Sequence, residues 1–218
     1  MTESPAPLTA LVAQGKADAP VIVLLHGRGS DERDLFRLGR ELHPSATVVS
    51  VRAPFPAAAW GYGPGWAWYR FIGGTSPEPE SFELGQAALT GFLDGLPVLL
   101  GRAIPAASLI LGGFSQGGTS ALAFALGHPG RVGAVLVFSG FLASHPSVVV
   151  PQGLATPIWW GHGTADGAIP YANGEAGWQA LHAAGAALTT ASYPGMGHTI
   201  SAEELADAAT WVQRTVPS

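Results

Sequence analysis

The chain has 218 residues, no cysteine, 30 glycines and 18 prolines; 47% of it is hydrophobic, 11% is charged, and its formal charge is −5. This length fits one large domain with a full core, and the missing cysteine excludes a disulfide scaffold, a cysteine-ligated zinc site and a thiol nucleophile. Nine of the ten basic residues are arginines, and they are scattered, so no cluster could neutralise several phosphates and no nucleic-acid partner is expected.

The start, Met1-Thr2-Glu3-Ser4-Pro5, is polar and has no basic n-region, so no secretory signal is read there. No run of about 18 apolar residues marks a membrane span, and the expectation is a mildly acidic, cytoplasmic protein. A first strand is expected near Leu8–Ala13, antiparallel at a sheet edge. Val21–Leu25 is continuously apolar, as a strand buried on both faces would be. Ser30 or Asp31 would cap a helix carrying Leu35, Phe36 and Leu38, and Thr47–Val51 reads as the next strand.

Residues 54–79 hold five Gly, five Pro and seven aromatics without periodicity, which predicts a long loop or flap; loops of this length are usually functional. Glu80–Leu100 has a helical pattern with a kink or break at Gly95-Leu96-Pro97. Ser108–Leu111, Ala134–Phe138, Pro157–Trp160 and Leu188–Tyr193 read as strands. Gln116–Leu126, Tyr171–Ala184 and Ala202–Val212 read as helices. This alternation predicts an α/β fold, a mostly parallel sheet with helices on both faces. No repeat or linker divides the chain, so one domain over residues 1–218 is expected.

In such a sheet, ligands bind beyond the carboxyl ends of the strands. One of those ends carries Gly112-Gly113-Phe114-Ser115-Gln116-Gly117-Gly118. Gly113-x-Ser115-x-Gly117, between an apolar strand and a helix, is the pattern of a nucleophile elbow, where side chains at the flanking positions would collide. In so glycine-rich a chain the bare pattern is weak, and its strand–helix setting supplies the specificity. A P-loop reading fails because Gly118 stands where the phosphate-binding Lys would be. A dinucleotide fingerprint at Gly27-Arg28-Gly29 lacks its third glycine.

Serine needs a base, and the base an orienting acid, which in elbow enzymes follow in the order acid, then His. After Ser115 the only aspartates are Asp166 and Asp207. Asp166 follows a strand end, whereas Asp207, like Glu175, Glu203 and Glu204, reads as an ordinary helix position. Of five histidines, His128 suits a helix C-cap, His145 a solvated loop, His182 a helix surface, and His162 the holding of the Asp166 turn. His198, in a Gly-rich loop after the last strand, is the best base. The backbone N–H groups of Gln116 and Arg28 are the expected oxyanion donors. No clustered ligand set points to a metal, and no cofactor motif is seen.

Leu25-His26-Gly27-Arg28-Gly29-Ser30, the Ser115 motif, His162-Gly163-Thr164-Ala165-Asp166 with Ile169-Pro170, and Gly195-Met196-Gly197-His198 together resemble the phospholipase/carboxylesterase family of α/β-hydrolases. Trp68-Tyr69 resembles an aromatic pair in that family's flap. The resemblance spans about residues 18–215 and implies a compact α/β-hydrolase fold without a large cap domain. It also implies a Ser115–Asp166–His198 triad with Arg28 and Gln116 at the oxyanion, and hydrolysis of esters or thioesters. Many relatives have Leu at the place of Arg28, an acidic residue at the place of Arg70, and smaller aliphatics at the place of Trp159-Trp160.

The expected chemistry is acyl transfer to Ser115 followed by hydrolysis, on a small-molecule ester, a lysophospholipid or an acyl thioester. Trp60, Tyr62, Trp66, Trp68 and Phe71 of the flap, with Phe141 and Trp159, are expected at an apolar acyl site. Two alternatives stand beside it: a cofactor-free perhydrolase using the same triad, and a non-catalytic ligand-binding protein on the hydrolase fold. A homodimer covering the aromatic flap is compatible with the sequence.

Overall fold

The computed structural model describes residues 8–216. The ends of the domain expected over residues 1–218 lie outside them. In chain order come β1 (Ala10–Ala13), β2 (Val21–Leu25), α1 (Leu38–Leu42), β3 (Thr47–Val51), the short strands β4 (Phe55–Pro56), β5 (Trp66–Ala67), β6 (Phe71–Gly73) and β7 (Ser76–Pro77), and α2 (Pro79–Leu100). Then follow β8 (Leu109–Phe114), α3 (Gln116–Gly127), β9 (Ala134–Phe138), β10 (Ile158–Gly163), α4 (Tyr171–Ala183), β11 (Leu188–Tyr193) and α5 (Ala202–Thr215).

Seven strands form one sheet in the order β1-β3-β2-β8-β9-β10-β11. Every pairing is parallel except β1 with β3, where Ala10 lies opposite Val51. The period of two along β2 sorts its side chains between two layers. Val21, Val23 and Leu25 join a core with Leu89 of α2, Phe124 of α3 and Leu181 of α4. Ile22 and Leu24 face the other layer, with Leu42 of α1 and Ala208 and Val212 of α5. Each such aliphatic side chain removed from water contributes roughly 1.5–3 kcal/mol, which is why β2 reads as an unbroken apolar run. From β2 the chain moves outward to β3 and later returns to place β8 on the other side. The strand order therefore reverses at β2 and β8, and the crevice beyond their carboxyl ends is where an open α/β sheet binds ligands.

Several local expectations are corrected. The helix expected from Ser30 or Asp31 is confined to Leu38–Leu42. Asp31 instead accepts from its near neighbour Arg33 N at 2.8 Å, so its side chain closes a turn rather than capping a helix. No break occurs at Pro97. Helix α2 runs through it to Gly101, whose left-handed backbone (φ 64°) ends the helix. A proline so near the end removes a single N–H from the last turn. The flap over residues 54–79 is ordered, as expected, and within it β4 pairs with β5 and β6 with β7. His145 is buried rather than solvated, its ring 4.9 Å from that of Phe82. Among the described residues, no helix is long and apolar enough to cross a membrane.

Candidate active site

Ser115 stands between β8 and α3 with φ 54° and ψ −117°, a conformation that costs a non-glycine residue on the order of 1–3 kcal/mol. The flanking glycines let the surrounding chain close on it. A Cβ on Gly113 would collide with the backbone of Gly117, and one on Gly117 with the carbonyls of Leu25 and His26. The elbow is further anchored by Ser115 N donating to Phe138 O at 2.8 Å, which ties it to the end of β9.

The structure brings Ser115, His198 and Asp166 together from three strand ends. His198 Nε2 lies 3.0 Å from Ser115 Oγ, and His198 Nδ1 lies 2.7 Å from Asp166 Oδ2. That pattern assigns the proton to Nδ1, donating to the carboxylate, and leaves Nε2 to accept from the serine hydroxyl. The loops bearing the acid and the base are laced together: Ala165 N donates to Met196 O at 3.0 Å, Thr164 N to Tyr193 O at 3.0 Å, and Gly195 N to Thr164 Oγ1 at 2.9 Å.

Burial pushes the Asp166 carboxyl up. The His198 hydrogen bond and the amides of Ile169 and Ala168, donating to Oδ1 at 2.8 and 2.9 Å, outweigh it and hold the group below the ordinary aspartate range. Asp166 thus stays ionised as a fixed counter-charge for an imidazolium. His162 lies 3.5 Å from Asp166 Oδ2 and donates through Nε2 to Ile169 O at 3.0 Å. Burial lowers its basicity, so it is a neutral brace of the aspartate turn.

The turn after β2 packs against the serine, a Cβ on Gly27 falling 3.6 Å from Ser115 Cβ. His26 holds the turn from inside. Its Nδ1 donates to Gly27 O at 2.7 Å and its Nε2 accepts from Ala53 N at 3.0 Å, while its own carbonyl accepts from Trp68 Nε1 at 3.0 Å. Gly29 N and Ser30 N bond to Trp66 O and Gly27 O, and the Arg28 N–H lies outside these bonds. Gln116 begins α3, where the first N–H groups have no partner within the helix. Its side chain reaches the flap, accepting from Trp68 N at 2.8 Å and donating to Tyr69 O at 2.7 Å.

A cavity of about 180 Å³ opens on Ser115 and His198. Phe71 and Phe141, expected at the acyl site, line it, together with Tyr69, Phe114 and Ile169, which were not. The other five expected residues stand elsewhere: Trp60 packs against Phe55 with ring centroids 5.1 Å apart, and the Tyr62 hydroxyl is bonded to the main chain of Phe71. Trp68 is buried and bonded to His26 O. Trp66 packs beneath the Arg52 guanidinium at 5.0 Å. Trp159 points to the opposite layer against Phe138, ring centroids 5.2 Å apart. Sequence composition marks the flap as aromatic but does not say which rings turn inward. Ile169 was reachable by its place three residues after Asp166.

Glu204 departs most from expectation. It is fully buried, with neither carboxylate oxygen hydrogen-bonded among the described residues. Burial raises its carboxyl to about 8, with the Asp166 charge adding to the effect. The missed signal is spacing: residues 204, 208 and 212 recur every four and share one face of α5. Among the described residues, no group of three or more His, Asp or Glu side chains is placed to hold a metal ion.

Comparison with known proteins shows the family and the fold. The family model described as Phospholipase/Carboxylesterase matches residues 7–216. A probable carboxylesterase of Oryza sativa subsp. japonica is 30% identical over 223 residues, covering 96% of this chain and 81% of that protein. An acyl-protein thioesterase 1 of Debaryomyces hansenii is 38% identical over 113 residues, covering 50% of this chain and 49% of that protein. Among solved structures, esterase PE8 has a TM-score of 0.82 at 28% identity, covering 96% of this chain and 100% of that one.

Proposed function

The chain belongs to the phospholipase/carboxylesterase family of α/β-hydrolases, and we propose that it cleaves carboxylic esters through a Ser115–His198–Asp166 triad and an acyl-enzyme. The observation that carries this reading is the continuous hydrogen-bond chain from Ser115 Oγ through both ring nitrogens of His198 to Asp166 Oδ2, at 3.0 and 2.7 Å. His198 Nε2 takes the hydroxyl proton as Ser115 Oγ attacks the ester carbonyl. Asp166 holds the ring in that tautomer and stabilises the imidazolium. The N–H groups of Arg28 and Gln116 receive the oxyanion, each contributing about 3–4 kcal/mol to the transition state.

Collapse breaks the ester C–O bond, and the imidazolium returns its proton to the departing alcohol. Water then repeats the sequence in reverse and frees the acid. Phe71, Phe141, Phe114 and Ile169 form the apolar wall for the acyl group. A cavity of about 180 Å³ lies below the usual range for drug-sized ligands, which favours short acyl chains. Acyl thioesters suit the same steps, since a thiolate leaves at least as readily as an alkoxide.

The test is hydrolysis of a p-nitrophenyl ester series by the parent protein and by Ser115→Ala, with circular dichroism to show that the fold persists. The expected result is loss of turnover in the folded variant and labelling of Ser115 by an organophosphate. A folded Ser115→Ala variant with parental turnover overturns the reading. A steep preference for long acyl chains overturns the short-chain assignment alone.

A further inference from the structure

The amide of Arg28 has a role in the mechanism proposed above, and its side chain has none. That side chain is exposed at the cavity that opens on Ser115. Its Cζ lies 4.5 Å from the ring centroid of Tyr62 and 5.9 Å from that of Phe71. Tyr62 is itself fixed, its hydroxyl donating to Phe71 O at 3.1 Å and accepting from Phe71 N at 2.8 Å. The Tyr62 and Phe71 rings therefore hold the guanidinium through cation–π contact. Among the described residues no hydrogen bond or ion pair engages its N–H donors, and guanidinium donors bind carboxylate or phosphate in bidentate fashion.

The acids nearest in sequence do not use them. Asp31 pairs with Arg33 at 2.9 Å and Glu32 with Arg52 at 2.6 Å, and among the described residues no carboxylate pairs with Arg28. The lining side chains other than Arg28 and His198 carry no formal charge. In a chain of formal charge −5, a cation held without a counter-ion, at a cavity lined by no carboxylate, suits an anion.

We propose that Arg28 determines specificity, and that the favoured ester carries a second, anionic group, carboxylate or phosphate. That group lies within one arginine side chain's reach of the scissile carbonyl. The proposal rests on the reading of Ser115 as nucleophile and of the Arg28 amide as an oxyanion donor. The reaction itself is unchanged: the anion is bound, not transformed.

The test uses ester pairs matched in size and differing in charge. Methyl hydrogen glutarate against dimethyl glutarate places a carboxylate on the acyl side. Acetoxypropyl phosphate against acetoxypropyl dimethyl phosphate places a phosphate on the alcohol side. The readout is the ratio of kcat/KM, charged over neutral, for the parent, Arg28→Met and Arg28→Lys. The ratio is used because any disturbance of the residue 28 amide acts on both members of a pair.

In at least one pair the ratio is expected to fall by about tenfold or more in Arg28→Met and by less in Arg28→Lys. The parent's ratio, and not that of Arg28→Met, should drop when salt is raised from about 0.05 to about 0.5 M. The responding pair identifies the side of the ester on which the anion sits. Unchanged ratios in both pairs, with neutral esters still cleaved by the parent and not by Ser115→Ala, overturn the anion proposal and leave the ester hydrolase reading standing. Cleavage of these esters by Ser115→Ala at the parent's rate removes the reading beneath it.

Discussion

Gln116 Nε2 donates to Tyr69 O at 2.7 Å, joining the first residue of α3 to the flap. With Trp68 N donating to Gln116 Oε1 at 2.8 Å, one side chain satisfies two buried main-chain groups. Gln116→Ala leaves both without partners, at a cost of about 1–3 kcal/mol for each buried group left unsatisfied. The backbone N–H at residue 116 remains. The expected outcome is a lower urea midpoint and a raised KM, with a smaller change in kcat. Equal stability of variant and parent would show that the clasp is not what holds the flap.

Asp166→Asn keeps an oxygen to accept from Ala168 N and Ile169 N, which now bond to Oδ1 at 2.9 and 2.8 Å. The turn should therefore survive. An amide cannot hold the His198 proton on Nδ1 as a carboxylate does, so kcat/KM should drop by roughly 10³–10⁴. Ester kinetics alongside a thermal melt check this, and near-parental kcat/KM with an unchanged melt would deny Asp166 its role.

Glu204 makes stability depend on pH in an unusual direction. Its folded carboxyl is raised to about 8 from an ordinary value of 4.5. Between those values the folded chain keeps a proton that the unfolded chain releases. Stability from this group is therefore complete at acidic pH and declines as pH rises from about 4.5 towards about 8. Glu204→Gln should flatten that slope and be more stable than the parent at pH 8 by about 1–3 kcal/mol. Urea unfolding at pH 5, 6.5 and 8 measures it, and parallel pH profiles for the two proteins would contradict the assignment.

Two glycines of α3 offer a matched comparison. At Gly117 a Cβ would strike the carbonyls of Leu25 and His26, whereas at Gly127 nothing lies within 4 Å. Gly117→Ala should destabilise by more than about 2 kcal/mol and cripple turnover, because α3 must move away from β2. Gly127→Ala should be neutral or stabilising by up to about 1 kcal/mol through helix propensity. Thermal unfolding of both variants decides the point.

The alternation of Val21–Leu25 and Ala134–Phe138 with helical segments was legible because burial on both faces leaves a continuous apolar run. The elbow was legible for a related reason: the backbone approach at Gly113 and Gly117 excludes any side chain, so glycine is written into the sequence there. The order Ser115, Asp166, His198 could be read because each residue follows a strand end, and a parallel sheet brings its strand ends to one edge. The hydrogen bonds that join the three belong to the tertiary structure.

Orientation was not legible. Trp68 and Trp159 turn into structural contacts while Tyr69 and Phe114, each beside a residue already singled out, turn to the cavity. Neighbouring positions on a strand or flap point to opposite sides, and composition cannot choose between them. Glu204 sits inward because α5 presents its 204–208–212 face to Gly161 and Trp159, a packing choice made by the whole sheet. The Arg28 guanidinium lies against Tyr62 only because β4 and β5 fold the flap back over the crevice. Residue type and local spacing determined which chemistry this chain can carry. The folding of distant segments onto one sheet edge decided which side chains share the cavity, because contact and burial arise only when the layers pack.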